Sequence, residues 1–172
     1  MGEGGRGGEV GRGKASATSG ALRYTSSSMP TPCLFCAIVR GDTESYRVYE
    51  DELTVVFLDH RPLLPGHCLV VPRTHVDDLT HLPDGLVAPL FGTVQLLSRA
   101  VEKGMAAEGS FVAVNNKISQ SVPHLHVHVV PRWKKDGLFS TKMIWKRSPY
   151  PDEASRREAQ AKIRKAVEEI GD

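Results

Sequence analysis

The run His124-Leu125-His126-Val127-His128-Val129-Val130 constrains this chain more than any other stretch. Strict alternation of polar and apolar residues marks a half-buried β-strand, in which alternate side chains share a face. It predicts a strand over 124–130, stopped by Pro131. Three imidazoles face one way, and Leu125, Val127 and Val129 face the other. Imidazoles are unusual on a strand surface, so the row points to chemistry. Neighbours on one face lie ~7 Å apart and the outer two ~13 Å. One zinc, with bonds near ~2.1 Å, can take a neighbouring pair but hardly all three. The histidines must then divide their labour. At least one is left as base, nucleophile or anion donor, and neutral imidazole (unperturbed pKa ~6.5) is a competent nucleophile near neutral pH.

The rest of the chain supplies a sheet for that strand. Residues 46–50 and 53–59 read as paired strands around an Asp51-Glu52 turn. Arg61 to Gly66 is a loop. Cys68-Leu69-Val70-Val71 is a third strand, ended by Pro72, and Phe111-Val112-Ala113-Val114 a fourth, followed by a loop at 115–121. Between them, Leu86, Val87, Leu90, Phe91, Val94, Leu97 and Val101 recur at helical spacing over 84–103. Pro83 suits the first turn of that helix, and Pro89 leaves a later start open. A last helix covers 153–170, with Asp152 as cap, Ile163, Val167 and Ile170 inward and Gly171 past its end. Strands that follow one another with few crossovers predict an α+β fold on a five-stranded, mostly antiparallel sheet, with one long helix and a C-terminal helix.

The 172 residues are one domain's worth, and 40% apolar with 24% charged residues is ordinary globular composition. No apolar run is long enough to span a membrane. Residues 1–28 hold eight of the 16 glycines and no periodic apolar pattern, so residues 1–29 are expected to be a disordered extension. They lack the apolar core of a secretory signal. Their arginines and serines leave an organellar transit peptide open against a cytoplasmic protein, Glu3 and Glu9 speak against it, and Met29 is an alternative start. The extension carries four of the 22 basic residues and two of the 20 acidic ones, leaving 18 of each in the remainder. A neutral body argues against charge-driven binding to a nucleic-acid backbone and leaves small anionic ligands open. Residues 139–172 form a basic loop and helix. Trp133-Lys134-Lys135 and Trp145-Lys146-Arg147 add a little basic and aromatic material.

Three cysteines cannot build a disulfide framework. Cys33-x-x-Cys36 is a metal or redox spacing of a reducing compartment, while Cys68 sits in an apolar strand and reads as core.

With Ser119-Gln120-Ser121-Val122-Pro123 before it and Pro131-Arg132 after it, the histidine run resembles the histidine triad family, whose pattern is His-φ-His-φ-His-φ-φ with φ apolar. The resemblance extends to Cys33-Leu34-Phe35-Cys36-Ala37-Ile38, Val48-Tyr49-Glu50-Asp51, Phe57-Leu58-Asp59 and Pro65 to His75, and spans about residues 30–138. It implies a nucleotide hydrolase or nucleotidyl transferase acting at the α-phosphate through a nucleotidyl-histidine. His126 would be the nucleophile, its Nδ1–H bonded to a backbone carbonyl. His128, Gln120, Ser121, Ser119 and Asn115 would serve the phosphate, with no catalytic metal required. Asp59 would hold the ribose, and Leu34, Phe35, Ile38 and Phe57 the base. His67 is a candidate helper. Lys117 is open between a polyphosphate tail and solvent, and His60 between the base and solvent. A structural zinc on Cys33, Cys36, His75 and His124 is implied, as is a homodimer paired through residues 84–114. The loop Asn115-Asn116-Lys117-Ile118-Ser119 departs from the family by being short and free of glycine. Two other readings stand beside the enzyme: a nucleotide-binding module with little turnover that serves a partner, and a processor of nucleic-acid 5′ ends.

Overall fold

The computed structural model describes residues 33–140 and 148–171. The N-terminal extension and Trp145-Lys146-Arg147 lie outside the described residues. Among the described residues no helix is long and apolar enough to cross a membrane.

A single antiparallel sheet carries everything else. Its strands are β1 (Arg47–Glu50), β2 (Thr54–Leu58), β3 (Cys68–Pro72), β4 (Gly109–Val114) and β5 (Val127–Arg132), in the order β1-β2-β3-β5-β4. Asp51 makes the first hairpin: its Oδ1 accepts from the backbone N–H groups of Leu53 and Thr54 at 2.8 and 2.7 Å, an Asx turn. Period-2 alternation then sorts the side chains. Val56, Leu58, Cys68, Val70, Val127 and Val129 face one side, and Val55, Phe57, Leu69 and Val71 face the other.

The first side is closed by α2 (Asp84–Met105) and α3 (Glu153–Gly171). Leu90, Leu97, Ala100 and Val101 of α2 meet Ala159, Ile163 and Ala166 of α3 in one cluster. The two helices approach closely at Gly104, where a Cβ would come within 2.7 Å of the Lys162 carbonyl oxygen. The C-terminal helix therefore packs into the same core as the sheet and α2. Asp152 caps it as expected, its Oδ1 accepting from the Ser155 N–H at 2.7 Å. The helix runs one residue further than expected, through Gly171.

The other face is only half covered. Helix α1 (Leu34–Arg40) lays Phe35 and Ile38 against Val55, Phe57, Leu69 and Val71. A separate cluster of Leu63, Leu64, Val130 and Leu138 covers the other end.

The structure settles or shifts four more local expectations. The regular strand starts at Val127 rather than His124, because Leu125 N–H bonds to the Val76 carbonyl at 2.7 Å outside the ladder. Pro131 lies inside β5, opposite Ser110, beyond the last β3 pair at Val129, so no partner there needs its missing donor. Helix α2 begins at Asp84 despite Pro89, which forgoes only one early bond. Val87 and Phe91, read as part of the apolar face of α2, are exposed, because that stripe is wider than the face the sheet can cover.

A candidate nucleotide site on the open face

Neighbouring residues across the sheet form a row, Phe57, Leu69, His128 and Ala113. Its first three members line a cavity of about 660 Å³ between α1 and Leu63. Strands lie ~4.8 Å apart, so the aromatic end and the histidine end are separated by ~10 Å.

The three histidines are divided by their partners. His126 is buried, and its Nδ1 lies 2.8 Å from the His124 carbonyl oxygen. Nδ1–H donates there, and the Nε2 lone pair is left for the cavity that His126 lines. Burial pushes the His126 pKa down, against a smaller upward pull from that bond, and so favours the neutral imidazole. The ring packs edge-on against Phe35 and His128, with centroids 5.2 and 4.9 Å away. The latter is closer than regular strand spacing, since His126 precedes β5.

A hydrogen-bond chain sets the tautomer of His128. The Leu63 N–H donates to His67 Nδ1 at 3.2 Å, which leaves the His67 proton on Nε2. His67 Nε2 then donates to His128 Nδ1 at 3.0 Å, leaving the His128 proton on Nε2. Asp59 Oδ2 is 3.5 Å from His67 Nδ1, a longer contact than the Leu63 bond. Asn115 Nδ2 lies 3.5 Å from His128 Nε2, and with the proton on Nε2 the amide turns over so that its Oδ1 accepts there. Asp59 is itself buried, and its Oδ1 accepts from the Arg61 N–H at 2.8 Å.

Leu34, Phe35, Ile38, Phe57, Asp59, His60, His67, Asn115, Ser119, Ser121, His126 and His128 all line the cavity. Gln120 does not. Its side chain bonds to the Asp77 carbonyl and accepts from the Lys117 N–H, so it holds the loop in shape. That loop turns through left-handed conformations at Lys117 and Ser119, places where a glycine would be unstrained. The exposed Lys117 ammonium is 3.9 Å from Asp78 Oδ2. His60 is largely exposed at the rim, and His81 binds Asp78.

The sequence singled out neither Glu44 nor Ser45, nor Arg156, which reaches the cavity from α3. Arg156 donates to the His60 carbonyl across 96 residues of chain, and no local pattern marks such a pair.

At the end of α1, Cys33, Cys36, His75 and His124 bring one donor atom each within 4.8 Å of one another. His124 Nδ1 is 3.4 Å from Cys33 Sγ, 3.5 Å from Cys36 Sγ and 3.3 Å from His75 Nδ1. A tetrahedral ion with bonds of ~2.0–2.3 Å holds its ligands at about these separations. The outer nitrogens are tied: His124 Nε2–H donates to the Pro72 carbonyl at 2.9 Å, and His75 Nε2 lies 3.2 Å from Asp77 Oδ1. Burial and the adjacent Cys33 sulfur push the Cys36 thiol up, a trend that a dication would reverse. The donor set fits a structural zinc, and its four ligands leave no open position.

A HIT domain model matches residues 40–135. The chain belongs to the HIT domain family. It is 32% identical over 136 residues to the adenylylsulfatase HINT3 of Arabidopsis thaliana, covering 78% of this chain and 69% of that one. It is 34% identical over 110 residues to a bis(5'-nucleosyl)-tetraphosphatase of Schizosaccharomyces pombe, covering 63% of this chain and 59% of that one. A zinc-bound histidine triad family protein from Mycobacterium smegmatis superposes with a TM-score of 0.71 at 38% identity, covering 81% of this chain and 96% of that structure. These HIT relatives include hydrolases of small nucleotide substrates, and the five-stranded α+β fold matches that of the structural neighbours.

Proposed function

We propose that this chain is a nucleotide phosphohydrolase that works through a nucleotidyl-His126 intermediate. One observation carries the reading: Nδ1–H of His126 is committed to the His124 carbonyl, so Nε2 faces the cavity as a lone pair. In the first step Nε2 attacks the α-phosphorus of a nucleoside phosphate. A P–N bond forms, and the bond to the leaving group breaks, its electron pair departing with that group. Nε2–H of His128 and the hydroxyls of Ser119 and Ser121 donate to the phosphoryl oxygens as charge builds. Water then attacks the adduct, releasing a nucleoside monophosphate, one proton and free His126. Asp59 accepts from the ribose hydroxyls, and Leu34, Phe35, Ile38 and Phe57 enclose the base. Dinucleoside polyphosphates, nucleoside diphosphates and phosphoramidates share the group attacked.

Acid-quench mass spectrometry with a slow nucleoside phosphoramidate tests the mechanism. The adduct is expected on the peptide containing His126. An adduct confined to His124 or His128, or wild-type turnover in His126→Asn protein, overturns it.

Zinc on Cys33, Cys36, His75 and His124 would tie α1, the segment after β3 and the histidine run into one unit, supplying rigidity rather than chemistry. Elemental analysis of protein made in zinc-replete medium should give one zinc per chain, and none would refute the site. We place the chain in the cytoplasm, because a Cys-x-x-Cys pair that holds zinc suits a reducing compartment.

The chain is also proposed to form a two-fold dimer. Val87 and Phe91 on α2 and Val112 on the edge strand β4 leave apolar surface exposed. A monomer mass by light scattering at micromolar protein would refute this.

A further inference from the structure

One wall of the cavity comes from a helix beyond the family match, which ends at residue 135. From α3, Arg156 joins Thr43, Glu44, Ser45 and Tyr46 on the cavity lining. Its guanidinium is clamped, with the carbon 5.1 Å from the Tyr46 ring centroid and 5.4 Å from that of Tyr150. One nitrogen donates to the His60 carbonyl at 3.3 Å. A planar cation held between two rings loses little freedom on making further bonds. Among the described residues, Arg156 Nε and Ser45 Oγ are buried and find no hydrogen-bond partner. Glu44 adds an exposed carboxylate, so the wall offers both donors and acceptors.

The wall stands at the Asp59 end of the cavity. Arg156 is bonded to the residue after Asp59, whereas His128 lies two strands away from β2. On the nucleotide reading above, which this inference rests on, Asp59 holds the ribose and the phosphate lies with His126. The edge that meets Arg156 and Glu44 is then the outer edge of the base.

We propose that Arg156 and Glu44 are specificity-determining residues that read this edge and favour guanine. Guanine presents two adjacent acceptors, O6 and N7, which suit the guanidinium fork. Its N1–H and 2-amino group donate, which suits a carboxylate. Adenine puts an amine where guanine has O6, so a donor of the protein meets a donor of the base and one bond is lost. Pyrimidines lack N7 altogether.

Calorimetric titration of the full-length protein with GMP, AMP and CMP tests the assignment without turnover. GMP should bind about tenfold more tightly than AMP, as expected for one good bidentate contact. Arg156→Gln and Glu44→Gln should each bring the GMP-to-AMP ratio towards one, chiefly by weakening GMP. Arg156→Lys should fail to restore the ratio, because an ammonium lacks the fork. Glu44 is exposed, so its variant keeps the test alive should the Arg156 variants fold poorly. Equal affinity for GMP and AMP in the wild type, or equal weakening of both by the variants, overturns the proposal. Failure of all three nucleotides to bind overturns the nucleotide reading itself, and this inference with it.

Discussion

The two faces of the sheet are built from the same strands and have opposite fates. Towards α2 and α3, the positions from Val56 across to Val129 are apolar and buried beneath the helices. Towards α1, the covering helix has seven residues and stops short. A sheet half-covered by a short helix leaves a trough, and His126, His128 and Asp59 project into it. The closed face supplies stability through buried apolar area. The open face spends some of it by burying polar groups, each of which needs a partner. Positioning an imidazole in this way requires the rigid layer behind it.

Substitutions on each side should separate the two roles. The largest effect is expected from His126→Asn. It should abolish turnover, beyond the ~10²–10⁴ attributable to a general acid–base alone. Nucleotide binding by calorimetry should persist, and His128→Asn should give only a partial loss. Next comes the closed face. Leu97→Ala should cost ~2–5 kcal/mol in denaturant unfolding, with turnover per folded molecule retained. Loss of turnover in fully folded Leu97→Ala protein would show that the faces are not separable.

A smaller effect tests the metal-binding end of the open face. Asp77→Ala removes the carboxylate behind His75, and zinc affinity in competition with a chromophoric chelator should fall about tenfold. Unchanged affinity would remove His75 from the ligand set.

The smallest effect concerns Asp136, in the segment closing the other end of that face. Hydrogen bonds from Arg132 and from the backbone N–H groups of Trp133 and Leu138 hold its carboxyl below the usual range, against a weaker push from burial. A depressed carboxylate binds fewer protons folded than unfolded. Its contribution is present above the unfolded value of ~3.9 and is lost as pH falls through the folded one. Asp136→Asn should therefore lower stability by ~1–2 kcal/mol at neutral pH and flatten the acid limb of the stability curve. An unchanged acid limb would show that the group does not act this way.

Local patterns made much of this readable in advance. Alternation placed Leu125, Val127 and Val129 on the core side and the histidines opposite, although His124 and His126 stand outside the regular strand. Helical spacing found α2 but could not say which part of a wide apolar stripe would be covered, hence Val87 and Phe91. The resemblance named about half of the residues that line the cavity. Gln120 escaped because whether an amide faces a ligand or the Asp77 backbone depends on a contact 43 residues away.

What the sequence determined by itself is what short-range physics determines: the strands, the helices, the faces they present, and the residue types able to do phosphoryl chemistry. Side-chain periodicity is local, and it survives in the linear order. Tertiary structure alone decided that Cys33 meets His124 across 91 residues and that His60 meets Arg156 across 96. It also decided that the His126 lone pair faces a cavity. Those contacts come from how the sheet and its helices close on one another, and loop closure between distant segments leaves no periodic trace in the chain.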